Sequence, residues 1–368
     1  MSRSSTKGIC LIIPTITWGG AEKVMVHLAE WWAENKGHVD LITFSRMADE
    51  IPISKNVNRV FLEDLPCPDN LPVNLEWEEE TENIYKLTSA IQQTQKQYIV
   101  SFLSRMNVRT LIAAPRESKV VVSEHSYPPL REMPPSFEEL RKKWYQQAHR
   151  VIMLTQRARV DWADTFLPRQ KTEVIQNPFL PVENSNDDVS HILPPKYFLA
   201  VGRLAKGKGH DILIKAFSLF LQRHEGVKLV LIGEGPEYNS IMALVEKLEL
   251  EDHVLFLKHR NRVDIAMQKA LALILSSFFE GFPNVLVEAM AYGTACIASD
   301  CKTGPAELIK SNHSGILFPP GNIHCLHRAM EIIYTNQDLR NRLINNAKQK
   351  IALLTKDKIF PQWSDLFF

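Results

Sequence analysis

Short apolar runs rich in Val and Ile recur along the chain, each bounded by polar or turn residues. In the first half they occupy residues 9–13, 39–44, 99–103, 119–123 and 150–154. Unbroken apolar runs of this length predict strands buried on both faces, as in a parallel sheet. Between the first two runs, residues 21–35 place Val24, Val26, Leu28, Ala29, Trp31 and Trp32 at helical spacing, and Gly37 follows. That pattern predicts a helix with a glycine stop. Strand, helix, strand in this order implies parallel pairing through right-handed crossovers. The alternation pauses over residues 177–195, a stretch rich in Pro, Asn and Asp. It then restarts, with strands expected at 197–201, 228–232, 254–257, 272–276 and 295–298. Helices are expected at 211–223, 237–248, 263–269, 284–292 and 323–335. The chain is therefore expected to be α/β, with two doubly wound Rossmann-like domains. The first covers 1–177, a linker 178–195, the second 196–354, and a final helix at 355–368 returns to the first domain. Ligands of such sheets sit outside the carboxyl ends of the strands, and two facing domains would gather those ends around a cleft.

Composition narrows this picture. With 368 residues, 45% hydrophobic and 23% charged, the chain is long enough for two cores. It contains no run of about 18 apolar residues, so no spanning helix is expected. The start, residues 1–8, lacks the apolar core of a leader peptide. Five scattered cysteines fit reduced thiols in a cytosolic protein better than a disulfide framework or a zinc site. A net charge of +1 gives no field that would recruit nucleic acid. Locally, Glu76, Glu78, Glu79, Glu80 and Glu82 form an acidic cluster. Arg131, Arg141, Lys142, Lys143, Arg150, Arg157 and Arg159, mixed with Phe137, Trp144 and Tyr145, form a basic neighbourhood. A solvated helix face is the commoner meaning of such stretches. The basic one also suits peripheral contact with an anionic membrane.

Several strand-to-helix turns carry candidate chemistry. Ser276 to Gly293 reads as a strand end, the loop Ser-Phe-Phe-Glu-Gly-Phe-Pro-Asn and a helix. Pro283 suits a first helical turn, and Gly281 permits close approach of backbone to a ligand. The helix start offers N–H groups to a diphosphate. Glu280 and Glu288 would lie about 12 Å apart along a helix axis, enough to reach opposite ends of one long ligand. Glu280 capping the helix and Glu288 buried against backbone fit the pattern equally well. In Val201-Gly202-Arg203-Leu204-Ala205-Lys206-Gly207-Lys208-Gly209, Arg203 and Lys208 suit phosphate oxygens, although the P-loop spacing is absent. Leu231-Ile232-Gly233-Glu234-Gly235-Pro236-Glu237-Tyr238 imitates half of a dinucleotide fingerprint, but Pro236 and Tyr238 break it. Trp18-Gly19-Gly20-Ala21-Glu22 and Ser123-Glu124-His125-Ser126 follow strands of the first domain. No His-Glu-x-x-His, Asp-x-Asp or paired-Cys motif supports a metal, so neither metal nor cofactor is expected.

Together these segments resemble glycosyltransferase family 4, the retaining transferases of the GT-B fold. Glu280 and Glu288, with seven residues between them, carry the most specific part. The Gly-Arg-Leu…Lys-Gly and Gly-Gly-Ala-Glu segments agree in order, and residues 300–307 look like the family's next loop. Ser101-Phe102-Leu103…Asn107, Ser123-Glu124-His125 and the Cys-Lys-Thr-Gly-Pro run are similar to bacterial capsule, O-antigen and lipid-linked oligosaccharide transferases. The resemblance implies that Arg203 and Lys208 hold the donor diphosphate. It implies that Glu288 binds ribose and that Glu280 contacts the sugar, with Gly281, Phe282, Pro283, Asn284 and Val285 lining the pocket. Gly19, Gly20, Gly202 and Gly233 would admit the donor, and His125 would stand near donor sugar and acceptor. The implied substrates are a nucleotide diphosphate sugar, UDP-linked by preference, and a saccharide acceptor on a polyprenyl diphosphate at the inner membrane face. A sugar-nucleotide epimerase and a non-catalytic nucleotide-sugar-binding subunit fit the same fold; products formed from donor alone, or binding without turnover, distinguish them.

Overall fold

The computed structural model describes residues 8–48, 50–67, 80–130, 133–181, 190–257 and 262–367. Glu76, Glu78, Glu79, Arg131 and residues 182–189 of the expected linker lie outside them. The chain divides into two compact units, Met1–Asn177 with Asp357–Phe368, and Pro178–Lys356.

The first unit runs β1 (Ile9–Ile12), α1 (Gly20–Asn35), β2 (Val39–Thr43), β3 (Val57–Phe61), α2 (Thr81–Thr94), β4 (Tyr98–Phe102), α3 (Ser104–Ala113), β5 (Lys119–Glu124), α4 (Pro135–Tyr145), β6 (Arg150–Met153), α5 (Gln156–Asp161) and β7 (Thr172–Val174). Its strands form one seven-stranded sheet in the order β3-β2-β1-β4-β5-β6-β7. Ile9 of β1 stands opposite Val39 on one side and Tyr98 on the other, both in parallel register. β1 is buried at every position, which is why its sequence is unbroken apolar. α1 buries Val24, Met25, Leu28 and Trp32 against the sheet, each such side chain contributing about 1.5–3 kcal/mol.

The second unit runs β8 (Tyr197–Val201), α6 (His210–Leu221), β9 (Lys228–Ile232), α7 (Tyr238–Lys247), β10 (Val254–Leu257), α8 (Val263–Lys269), β11 (Ala272–Leu275), α9 (Asn284–Ala291), β12 (Cys296–Ser299), α10 (Pro305–Leu308), β13 (Ile316–Phe318), α11 (Ile323–Thr335) and α12 (Gln337–Ile351). Its sheet order is β10-β9-β8-β11-β12-β13, again parallel. Phe198, Leu213, Phe217, Phe220, Leu229 and Leu326 are central to its core. The last helix, α13 (Lys356–Asp365), leads back to the first unit. There Trp363 packs on Phe102 with ring centroids 5.3 Å apart. Past the helix end, Phe367 packs on Tyr98 at 5.0 Å, and the His149 ring lies 3.1 Å from the carbonyl of Leu366.

β3, β7 and β13 were not expected. They are edge strands, and β3 is buried only at its first residue, so no apolar run marks it. Among the described residues no helix is long and apolar enough to cross a membrane.

Candidate active site

The chemistry-bearing residues of the second unit collect at the carboxyl ends of β8, β9, β11 and β12. The turn after β8 ends at Gly209, whose φ of +67° is left-handed. A Cβ at that position would collide with the carbonyl oxygen of Ser276 at the tip of β11. Glycine is thus required twice over, by conformation and by the close approach of two backbones. The approach is stitched by Phe278 N–H donating to the Gly207 carbonyl (2.8 Å) and by Ser276 Oγ donating to the Lys208 carbonyl (3.0 Å). The Phe279 ring lies against Gly207. Next door, Gly233 at the end of β9 has φ +153°, and a Cβ there would strike the Gly202 carbonyl.

Glu280 is the centre of this arrangement. It is 8% exposed, and its Oε1 accepts from Lys208 Nζ at 2.8 Å and from Ser277 Oγ at 2.6 Å. A carboxylate this buried stays charged only if paired and hydrogen-bonded, and both conditions are met. Its backbone carbonyl accepts from Thr303 Oγ1, so residues 300–304 brace the same loop. Cys301 is buried nearby; burial, then the charge of Glu280, push its thiol up to about 11. Lys208 keeps about a third of its side chain exposed, and an ammonium has three donors, so two remain for a ligand. Arg203, on the same turn, is exposed and makes no ion pair with a described residue.

One alternative left open by the pattern is now decided. The start of α9 has no side-chain cap, so Glu280 does not cap it. Pro283 is the N-cap itself with ψ 87°, not the first helical residue, and α9 begins at Asn284. Residues 280–283 are therefore not helical, and the 12 Å helical separation of Glu280 from Glu288 does not apply. Glu288 sits half-buried within α9, and Val285 and Asn284 form its first turn. Gly281 is half-buried, while Phe282 and Pro283 are buried. The N–H groups of Asn284 and Leu286 already donate to Phe282 and Pro283 carbonyls, which leaves less of this helix start for an anion than expected. Beside Gly233 a cavity of about 380 Å³ is lined by Gly233, Glu234, Gly235, Tyr238, Phe256 and Leu257.

Residues 183–350 match the family model described as glycosyl transferases group 1, and residues 18–179 match that described as glycosyltransferase family 4. An N-acetylgalactosamine-N,N'-diacetylbacillosaminyl-diphospho-undecaprenol 4-alpha-N-acetylgalactosaminyltransferase of Campylobacter jejuni is 30% identical over 270 residues, 70% of this chain and 72% of that one. The chain belongs to glycosyltransferase family 4. A second Campylobacter jejuni relative, a GalNAc-alpha-(1->4)-GalNAc-alpha-(1->3)-diNAcBac-PP-undecaprenol alpha-1,4-N-acetyl-D-galactosaminyltransferase, is 27% identical over 364 residues and 97% of both chains. Among solved structures, Anabaena Alr3699/HepE in complex with UDP-glucose superposes with a TM-score of 0.79 at 19% identity, over 97% of this chain and 98% of that one. The two units have the GT-B fold.

In this family 4 chain the first-unit candidates have a different character. His125 follows β5, its ring 4.2 Å from that of Phe102. The residue retains some surface, but both ring nitrogens are shut from solvent and unpaired, and burial pulls its pKa down to about 3. It is a neutral imidazole. Gly19 is the N-cap of α1 and Gly20 its first residue, and the Glu22 carboxylate folds back against Gly19. Burial raises the pKa of Glu22, and N–H groups of Glu22 and Ala21 oppose that shift.

The basic neighbourhood, read as a solvated helix face that also suits membrane contact, is largely consumed inside the unit. Arg141 is 1% exposed, donates to Glu124 Oε1 at 3.2 Å, and pairs with Glu138. Tyr145 OH donates to the same Glu124 oxygen at 2.6 Å, and Ser104 Oγ to the other at 2.7 Å. Tyr145 and Phe137 are buried, Arg150 pairs with Glu173, and Arg157 with Asp161. Lys142 and Lys143 are exposed. Glu124, the buried counter-ion of Arg141, lies 17 residues away in sequence, which is what the local charge pattern could not reveal.

Sequence reading also passed over Ser277 and Thr303 as individuals. Ser277 stands three residues before Glu280, a spacing at which a turn returns a hydroxyl to a carboxylate. Tyr238 and Phe256 line the cavity with rings 5.5 Å apart; in the sequence Tyr238 stands out only as a break in the dinucleotide pattern, and Phe256 not at all.

Proposed function

We propose that this chain moves a hexose or N-acetylhexosamine from a UDP-sugar to a saccharide carried on a polyprenyl diphosphate, retaining the anomeric configuration, in surface-glycan synthesis. The observation that carries the reading is the meeting of Lys208 and Glu280 at adjacent strand tips, with Arg203 exposed on the Lys208 turn. Breaking the bond from the sugar C1 to the diphosphate leaves negative charge on UDP. Lys208 and Arg203 neutralise that charge, the work that a metal does in other sugar transferases. Glu280 orients a sugar hydroxyl, Glu288 serves the ribose, and the cavity beside Gly233 takes the base. The acceptor hydroxyl forms the new bond to C1 from the leaving-group face, and its proton passes to the departing diphosphate. His125, neutral and shielded, offers a hydrogen bond to donor sugar or acceptor, not a charge.

The two Campylobacter relatives support the acceptor class and the stereochemistry, since their names specify alpha linkages and undecaprenol-linked saccharides. An alpha product from an alpha-linked UDP-sugar is retention. On this reading the chain works at the inner face of a membrane, by peripheral contact. A panel of UDP- and GDP-sugars screened for thermal stabilisation tests the donor assignment, because a ligand that binds only the folded chain raises its melting temperature. One UDP-sugar should stand out, and it should be consumed with lipid-linked acceptor in excess chelator. Stabilisation by GDP-sugars alone, or a strict need for a divalent ion, contradicts the reading.

A further inference from the structure

Three buried hydroxyls converge under the loop that carries Glu280. Ser299 Oγ, at the tip of β12, donates to the Ser277 carbonyl. Ser277 Oγ donates to Glu280 Oε1 at 2.6 Å, and Thr303 Oγ1 donates to the Glu280 carbonyl. Ser277 and Ser299 are fully buried and Thr303 is 2% exposed. Lys208 Nζ reaches the same oxygen, Oε1, at 2.8 Å, whereas no described residue donates to Oε2. An ionised carboxylate is an acceptor only, with room for about four hydrogen bonds. Loading two donors on one oxygen leaves the other unspent.

We propose that Ser277 is a positioning residue for Glu280, fixing its carboxylate so that Oε2 faces a hydroxyl of the donor sugar; this rests on the donor reading above. The terminal torsion of a glutamate is broad, so one donor on a mobile stem does not fix it. Lys208 is such a donor, a flexible point charge that an arriving diphosphate pulls toward itself. Ser277 has one short rotor, and its own backbone is pinned by Ser299. It keeps the carboxylate aligned in the loaded state, when Lys208 is shared with phosphate.

The test compares affinities by calorimetry, using UDP and the UDP-sugar that stabilises most in the panel. In Ser277→Ala the UDP-sugar should weaken about tenfold, the scale of a lost hydrogen bond to a charged group. UDP itself should change less than about twofold, which also reports that the unit is folded. Glu280→Ala should weaken the UDP-sugar at least as much, and adding Ser277→Ala to it should cost nothing further, because Ser277 acts through Glu280. An unchanged UDP-sugar affinity in Ser277→Ala, or a full additional loss in the double variant, overturns the positioning role. An unchanged affinity in Glu280→Ala overturns the donor reading instead. Should Ser277→Ala fail to bind UDP, Ser277→Cys, of similar size and a weaker donor, carries the same prediction with a smaller loss.

Discussion

Replacing Lys208 by alanine separates the two jobs its ammonium performs. In the free chain it pairs with Glu280, whose side chain is 9% exposed while that of Lys208 is 34% exposed. Breaking a fully buried pair costs about 3–5 kcal/mol. Partial exposure of Lys208 and the remaining Ser277 bond reduce this to about 1–2 kcal/mol. For a unit of this size that lowers the melting temperature by about 2–4 °C per kcal/mol, so Lys208→Ala should fold. Its second job, neutralising the departing diphosphate, is worth more: losing one such donor costs about 100-fold or more in turnover. The assay is UDP release with lipid-linked acceptor, beside calorimetric UDP affinity. Turnover should fall at least about 100-fold and UDP affinity with it. If Lys208 served only to hold Glu280, UDP affinity would be untouched. A folded Lys208→Ala variant with near wild-type turnover would refute the phosphate role.

Acid should destabilise the first unit through His125. Its folded pKa is about 3, below the ordinary 6.5, so between those values the unfolded chain binds the extra proton. The stabilisation is complete above about pH 6.5 and is lost as pH falls toward 3, with a slope of up to about 1.4 kcal/mol per pH unit. Urea unfolding at several pH values should show this slope flattened in His125→Gln; an identical pH dependence in the variant would contradict it. Arg141→Ala should cost about 3–5 kcal/mol in the same experiment, since it strands Glu124 inside the unit. A loss below about 1 kcal/mol would mean that the buried pair is not what holds α4 to β5.

The sequence showed the strands that lie in the middle of each sheet, because burial on both faces writes them as unbroken apolar runs. It missed β3, β7 and β13, which lie at sheet edges: β3 and β7 carry polar residues, and β13 is only three residues long. At the site, the glycines and the charges were legible, since tight turns at strand tips require both. Their pairing was not. That Lys208 and Ser277 share one oxygen of Glu280 depends on β8 and β11 being neighbours in the sheet, a fact of topology rather than of spacing. Arg141 shows the converse: its surroundings in sequence are those of a surface helix, and only the fold supplies Glu124.

A crystal structure of the chain with UDP bound tests the central claim most directly. The account predicts the diphosphate within hydrogen-bonding distance of Lys208 and Arg203, the base in the cavity beside Gly233, and Glu280 still bonded to Ser277. UDP bound away from the β8 and β11 tips, with Lys208 and Arg203 free of phosphate, would contradict it.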